Sequence, residues 1–545
     1  MSRVNYNNVI NYPFIDYIIK MYVPQMQLNE NKWKRVKMEI FREAMLHQST
    51  KFKDHHKTYE RLEYLGDAIF HLIMTEYLYK RYDEEAEGFL TRLRIRIERG
   101  ESMSELTKIL NLDKYIKICD ISLNDHILED VFEAFIGAFY LNFGMSYTKT
   151  LVIGLIEKHK NLSELISRDD NFKDLLLRYF HQMKWGHPIY IEGFSNKKIS
   201  GSKTAKKNNK FSSIVKNPFN EIIGKGLANS KKKAEQLASE KALEKLGVII
   251  DGEVDPNWLD KIDKVEKEEK EKEKEKEKPD KKTISVFNPN NKLLKKNDIR
   301  DLLAVYNIML EKDINININL FYEAMTHRSY LKRKKLTPED KIASKNAVKL
   351  QKKSNERLQF LGDAVIHFII GEYLFQKYPK ADEGFLTRLR CKLENRDSLF
   401  YLAKQTDVSS YLLVSQNIEI LHGRNNVNII GGGFEAFVGA LYLEVGLGLV
   451  RQFILEIIRI ELDISKIAEN ETNYKDLILQ VYNKNHWRNP KYKIIKEEGP
   501  DHRKIFTMGI YLNDKLMGMG KASSKKKAEQ IASKNMYSRI KNKSN

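Results

Sequence analysis

Glu60-Arg61-Leu62-Glu63-Tyr64-Leu65-Gly66-Asp67-Ala68 decides how this chain is read, because it returns as Glu356-Arg357-Leu358-Gln359-Phe360-Leu361-Gly362-Asp363-Ala364, 296 positions later. Glu87-Gly88-Phe89-Leu90-Thr91-Arg92-Leu93-Arg94 returns at the same offset as Glu383-Gly384-Phe385-Leu386-Thr387-Arg388-Leu389-Arg390. Phe132-Glu133-Ala134-Phe135 returns as Phe434-Glu435-Ala436-Phe437, offset by 302. Lys231-Lys232-Lys233-Ala234-Glu235-Gln236 returns as Lys525-Lys526-Lys527-Ala528-Glu529-Gln530, offset by 294. Ordered blocks at nearly constant offset mean that a two-module unit was copied.

Leu62, Leu65, Ile69 and Ile73 recur at helical spacing, as do Val131, Phe135 and Phe139, so the first module of each copy reads as all-α. The second reads as a helix (172–183; 474–483), alternating strands such as 504–512, and a closing helix (230–246; 523–540). That order makes an α+β domain of α-β-β-β-α type. The expected organisation is a helical domain over 1–165 and an α+β domain over 170–248. A linker over 249–297 then leads to a second helical domain over 298–467 and a second α+β domain over 471–541. Residues 264–282 alternate Glu and Lys and hold too little apolar surface to bury a core. They form either a flexible tether or a solvated helix laced by i, i+4 pairs.

The 545 residues carry 94 Lys+Arg against 74 Asp+Glu, a net charge of +20. The Glu/Lys stretch nearly cancels its own charge, so the excess sits on the folded modules and points to a polyanionic partner. Hydrophobic residues at 42% exclude disorder throughout. Cys119 and Cys391 are too few and too far apart for a disulfide framework or a zinc finger. No uninterrupted apolar run reaches the roughly 18–20 residues that cross a bilayer, and residues 1–27 are neither a signal nor a transit peptide. An intracellular, cytoplasmic protein with no membrane partner is expected. Abundant Asn, Ile, Lys and Tyr fit an AT-rich genome such as that of a protist or a large DNA virus.

Glu63 and Asp67 lie four apart on one predicted helix, and Asp130 and Glu133 three apart on another, so each pair shares a face. Both pairs sit among apolar residues, where carboxylates repel one another unless a cation joins them. Two helices crossing there would gather four carboxylates into a hard oxygen cage suited to Mg²⁺, with Mn²⁺ as a substitute. Gly66 and Gly137 would let the two backbones come close.

Glu60 to Ala68 resembles the signature of the ribonuclease III family. Ala44-Met45-Leu46-His47-Gln48-Ser49, Glu87-Gly88-Phe89-Leu90-Thr91 and Asp130-Val131-Phe132-Glu133-Ala134 follow the family's order. The second module resembles the family's double-stranded RNA-binding domain. The resemblance implies two ribonuclease III-like helical domains, with Glu63, Asp67, Asp130 and Glu133 as catalytic metal ligands. It makes Glu87 and Glu60 accessory acids, with Glu60 and His47 read as structural. It further implies Mg²⁺-dependent hydrolysis of double-stranded RNA, leaving 5′-phosphate and 3′-hydroxyl ends through an activated water and a stabilised leaving oxygen. A non-catalytic protein that sequesters duplex RNA or sits in a ribonucleoprotein is the alternative.

The second copy departs from this pattern. Gln359 stands at the position of Glu63 and Gly432 at that of Asp130, while Asp363 and Glu435 remain. Two of four ligands are lost, so this degenerate site is expected to be dead. Domains of this family pair through their signature helices, so the two halves are expected to form an intramolecular pseudo-dimer cutting one strand per encounter. Pairing of first modules between two chains, a homodimer, would instead restore two centres.

In the second RNA-binding module, Lys525, Lys526 and Lys527 open a helix, and Gly499-Pro500-Asp501-His502 resembles the family's minor-groove loop. Gln480 and His502 are further candidate RNA contacts. The first RNA-binding module keeps Lys231, Lys232 and Lys233, lacks the Gly-Pro-x-His element, and carries a Lys-rich stretch at 196–210 instead. It is expected to bind in an altered way.

Overall fold

A computed structural model describes residues 9–26, 29–50, 58–167, 172–183, 185–195, 210–228, 230–250, 253–254, 284–310, 315–333, 335–471, 474–484, 487, 489–499, 504–512 and 515–541. The two all-α and two α+β modules expected from the sequence are present.

Each helical module is built on two long helices. In the first half the signature helix Glu60–Arg81 crosses Asp125–His159, and in the second Glu356–Lys377 crosses Val427–Glu461. The crossings depend on glycine. A Cβ on Gly66 would lie 1.7 Å from the carbonyl oxygen of Glu133, and one on Gly137 would lie 2.4 Å from that of Leu62. The copy repeats this contact with Gly362 and Gly439. The long crossing helices each kink at one residue with φ near +80°, Gly144 (φ 79) and Gly446 (φ 77), a region that L side chains rarely enter.

The two halves share one apolar core running from Ile10 to Ala468, with the signature helices against each other. The joint is reciprocal. Arg61 donates to the carbonyl oxygens of Phe375 (2.9 Å), Tyr378 (3.0 Å) and Ala381, at the C-terminal end of the second signature helix. Arg357 donates to Tyr79, Tyr82 (both 2.8 Å) and Glu85 at the end of the first. Each guanidinium thus meets carbonyls left without helical partners at the negative end of a helix dipole. Tyr442 donates to Glu76 (2.7 Å) and Tyr140 to Glu372, and the rings of His71 and His367 stand 5.3 Å apart at the centre.

Helices Glu356–Lys377 and Val427–Glu461 are long and apolar enough to cross a membrane, although neither holds an uninterrupted apolar run of that length. Most of the apolar stretch of each is instead buried inside the protein. Residues 284–297, expected in the linker, pack onto that half: Val286, Phe287 and Leu294 are buried, and Asn291 donates to the carbonyl of Val414. Apolar Val and Phe follow the charged stretch, which is why the linker gives way there to a packed segment. Residues 264–282 lie outside the described residues.

Each α+β module is a three-stranded antiparallel sheet flanked by two helices. In the first, Phe172–Gln182 and Lys231–Lys245 pack on strands Ile189–Ser195, Lys210–Lys216 and Ile222–Ala228. In the second, Tyr474–Lys484 and Lys525–Lys541 pack on Lys491–Glu498, Ile505–Leu512 and Lys515–Ala522. A short hairpin, Ile249–Ile250 with Glu253–Val254, extends the first module into the expected linker.

Candidate active site

The glycine crossing brings Glu63 and Asp67 of one helix to Asp130 and Glu133 of the other. All four are partly buried. Tyr59, at the start of the signature helix, donates to Asp130 at 2.9 Å. Burial and the neighbouring charges of Asp130, Glu383, Glu60 and Asp67 push Glu63 up to about 9. Burial together with Asp67, Glu63 and Glu129 raises Glu133 well above the usual carboxylate range. Asp130 is raised by burial despite the hydrogen bond from Tyr59.

Asp67 behaves differently. Burial pushes it up, but His367 (3.8 Å) and Arg390 (3.6 Å) of the second half hold it below the usual range. His367 is itself pushed up to about 9, because Asp67 and Glu394 outweigh the burial that disfavours its charge. One carboxylate therefore has cations facing it, and the other three crowd each other.

The donor set fits a hard divalent cation, because all four candidate ligands offer carboxylate oxygens. Among the described residues no three such side chains are already drawn together tightly enough to hold an ion.

The accessory acids separate. Glu60 accepts from Thr58 (2.9 Å) and its charge bears on Glu63. Glu87 accepts from Thr91 (2.6 Å), and it is Glu383, the copy of Glu87 in the other half, whose charge reaches Glu63. Glu129, absent from the candidates the sequence suggested, is raised by burial and by Asp130 and faces the same cluster. Its position one turn from Glu133 was the available signal. His47 pairs with Ser49 (2.8 Å) in a local turn.

At the matching positions of the second half, the space between the helices is filled from within. Arg396 donates to the buried Glu435 at 2.8 Å. A Cβ on Gly432 would meet the Gln359 amide at 2.9–3.1 Å, so this side chain lies where a carboxylate is missing. Burial and Asp363 raise Glu435 to about 7, against the pull of Arg396 and a hydrogen bond from Gln359. Arg396 was not a sequence candidate. Its counterpart at the 296 offset is Gly100, and aligning the two copies between the repeated blocks exposes the change.

At the closing helices of the α+β modules, Ser230 accepts from the backbone of Lys233 and Ser524 from that of Lys527, both at 3.3 Å. Lys231, Lys232, Lys233, Lys525 and Lys527 are exposed and Lys526 stands beside them. Cations at the positive end of a helix dipole disfavour the helix unless an anion sits there. His502 and the rest of 500–503 lie outside the described residues; Gln480 sits on the first helix, its side chain outside them.

A model described as the ribonuclease III domain matches residues 60–144, and one described as ribonuclease-III-like matches 317–461. The double-stranded RNA binding motif matches 172–246 and 474–540. The chain is 69% identical over 533 residues to a probable ribonuclease 3 of Acanthamoeba polyphaga mimivirus, covering 98% of this chain and 97% of that one. It is 35% identical over 231 residues to ribonuclease 3 of Sulfurovum sp. (strain NBC37-1), covering 41% of this chain and 94% of that one. A solved nuclease domain of ribonuclease III from Campylobacter jejuni is 30% identical, covering 30% of this chain and 98% of that one, with a TM-score of 0.24.

Proposed function

The chain belongs to the ribonuclease III family, and from that premise we propose that its first half hydrolyses double-stranded RNA with Mg²⁺, leaving 5′-phosphate and 3′-hydroxyl ends. What carries this reading is the glycine crossing, at which the helix bearing Glu63 and Asp67 and the helix bearing Asp130 and Glu133 touch through their backbones, with Glu63, Asp130 and Glu133 each raised by burial and by neighbouring carboxylates. Glu63, Asp67, Asp130 and Glu133 would hold Mg²⁺, which when bound would supply an acidified water and positive charge beside the departing oxygen. Tyr59 fixes the rotamer of Asp130. His367 and Arg390 orient Asp67 from the second half, a reason for a half without its own ligand set to be kept. The lysine-headed helices grip the duplex backbone, reading its shape rather than its bases.

The test is a labelled duplex and its separated strands, each incubated with Mg²⁺ or with a chelator. Cleavage of the duplex alone, only with Mg²⁺, and products degraded by a 5′-phosphate-dependent exonuclease are expected. A duplex left whole with Mg²⁺ would leave a binding protein and nothing more.

Replacing Lys525, Lys526 and Lys527 with Ala should weaken duplex binding and lower the slope of log affinity against log salt by about 1 for each phosphate the protein no longer neutralises. Titrations at several salt concentrations measure both; an unchanged slope removes these lysines from the interface.

A further inference from the structure

Resting on the nuclease reading above, we propose that this chain nicks duplex RNA, cutting one strand per encounter, and that the guanidinium of Arg396 is the resident cation that closes its second centre.

Two independent observations carry this. The first is the second centre itself. Loss of two carboxylates would by itself leave Glu435 buried with Asp363 as its neighbour, a weakened site still able to attract a divalent ion. Instead Arg396 donates to Glu435 at 2.8 Å, and Gln359 lies over Gly432. Charge and volume are both occupied by the protein. In the first half the equivalent of Arg396 is Gly100, and a Cβ there would come within 2.5 Å of the Glu129 carboxylate, so any side chain would enter the acidic cluster. That position therefore bears a cation in the second centre and no side chain in the first.

The second observation is that the joint is used up. Arg61 and Arg357 each cap the other half's signature helix, and a single core runs through both halves. Pairing two first halves from different chains would require breaking that core. One folded chain therefore presents one open centre. Two centres related by a pseudo-two-fold face strands that the duplex dyad relates in the same way, so shutting one spares one strand.

Three measurements decide it. With the strands separately labelled and a trap that limits the protein to one encounter, singly cut duplexes should outnumber doubly cut ones at least tenfold. Double cuts in one encounter overturn the nicking and leave the nuclease reading standing; no cuts at all overturn both. Mn²⁺ bound to the RNA-free protein, counted by electron paramagnetic resonance, should vanish when Glu63, Asp67, Asp130 and Glu133 are all replaced by their amides. Mn²⁺ still bound to that variant would sit in the second centre and refute the plug. Gly100→Arg should lose Mn²⁺ and cleavage together while melting with the parent. Retained Mn²⁺ in Gly100→Arg also refutes the role given to the guanidinium.

Discussion

A Glu133→Gln protein is expected to bind duplex RNA as its parent does and to cut it at least ~10³-fold more slowly, about 4 kcal/mol of barrier at 1.36 kcal/mol per decade. Gln keeps the shape of Glu and removes the charge that a divalent ion needs. Glu133 faces Asp67, Glu63, Glu129 and Asp130. The lysine-headed helices belong to other modules, so binding has no reason to change. Stability should move the opposite way. Without metal, a carboxyl raised in the folded state keeps its proton while the unfolded chain loses it. Glu63, ordinarily near 4.5 and here about 9, therefore stabilises fully below about pH 4.5, and that contribution is lost as pH rises through 9. Glu133 is shifted in the same direction. The metal-free parent should lose thermal stability from pH 6 to 9, and Glu133→Gln should lose less. Melting curves across that range, beside single-turnover cleavage rates, test both halves of the expectation. A variant that cuts at the parental rate ends the assignment of Glu133.

Gly66→Ala should destabilise the first half by about 3 kcal/mol or more, the upper end of what overpacking costs. Its methyl would stand 1.7 Å from the Glu133 carbonyl oxygen and 2.5 Å from that carbonyl carbon. Both are backbone atoms inside a long helix and cannot swing aside. The signature and crossing helices would have to separate, which also pulls Glu63 and Asp67 away from Asp130 and Glu133. Gly88→Ala is the control. Its Cβ would meet only the flexible end of Arg92 at 3.5 Å, on helix Glu87–Ile97, and Ala is about 1 kcal/mol the better helix former. Calorimetry should show a clear loss for the first substitution and none for the second. Equal melting of Gly66→Ala and its parent would mean that the crossing is not as close as described.

Much of this was legible in the residues. Repeated blocks gave the duplication, and helical spacing placed each pair of acids on one face. The same blocks also revealed Gln359 and Gly432 in the second copy. The reach of one half into the other was not legible. Periodicity tells which face of a helix is buried and is silent on what covers it. So His367 and Arg390 beside Asp67, and Glu383 beside Glu63, came only with the packing of the two signature helices. Arg396 escaped for a related reason: it lies outside the motif blocks and enters the site only through the fold.

Local order, composition and copying are written along the chain, because each depends on neighbours a few residues away or on matching stretches of text. The amino acids alone therefore determined two helical modules, two duplex-binding modules, and one complete acidic quartet beside one broken one. Which charges face which, that Arg396 meets Glu435 in the second half, and that the two signature helices pack on each other depend on side chains far apart in the chain, many of them hundreds of positions. Only tertiary packing brings those together, since electrostatic and steric terms act through space and not along the backbone.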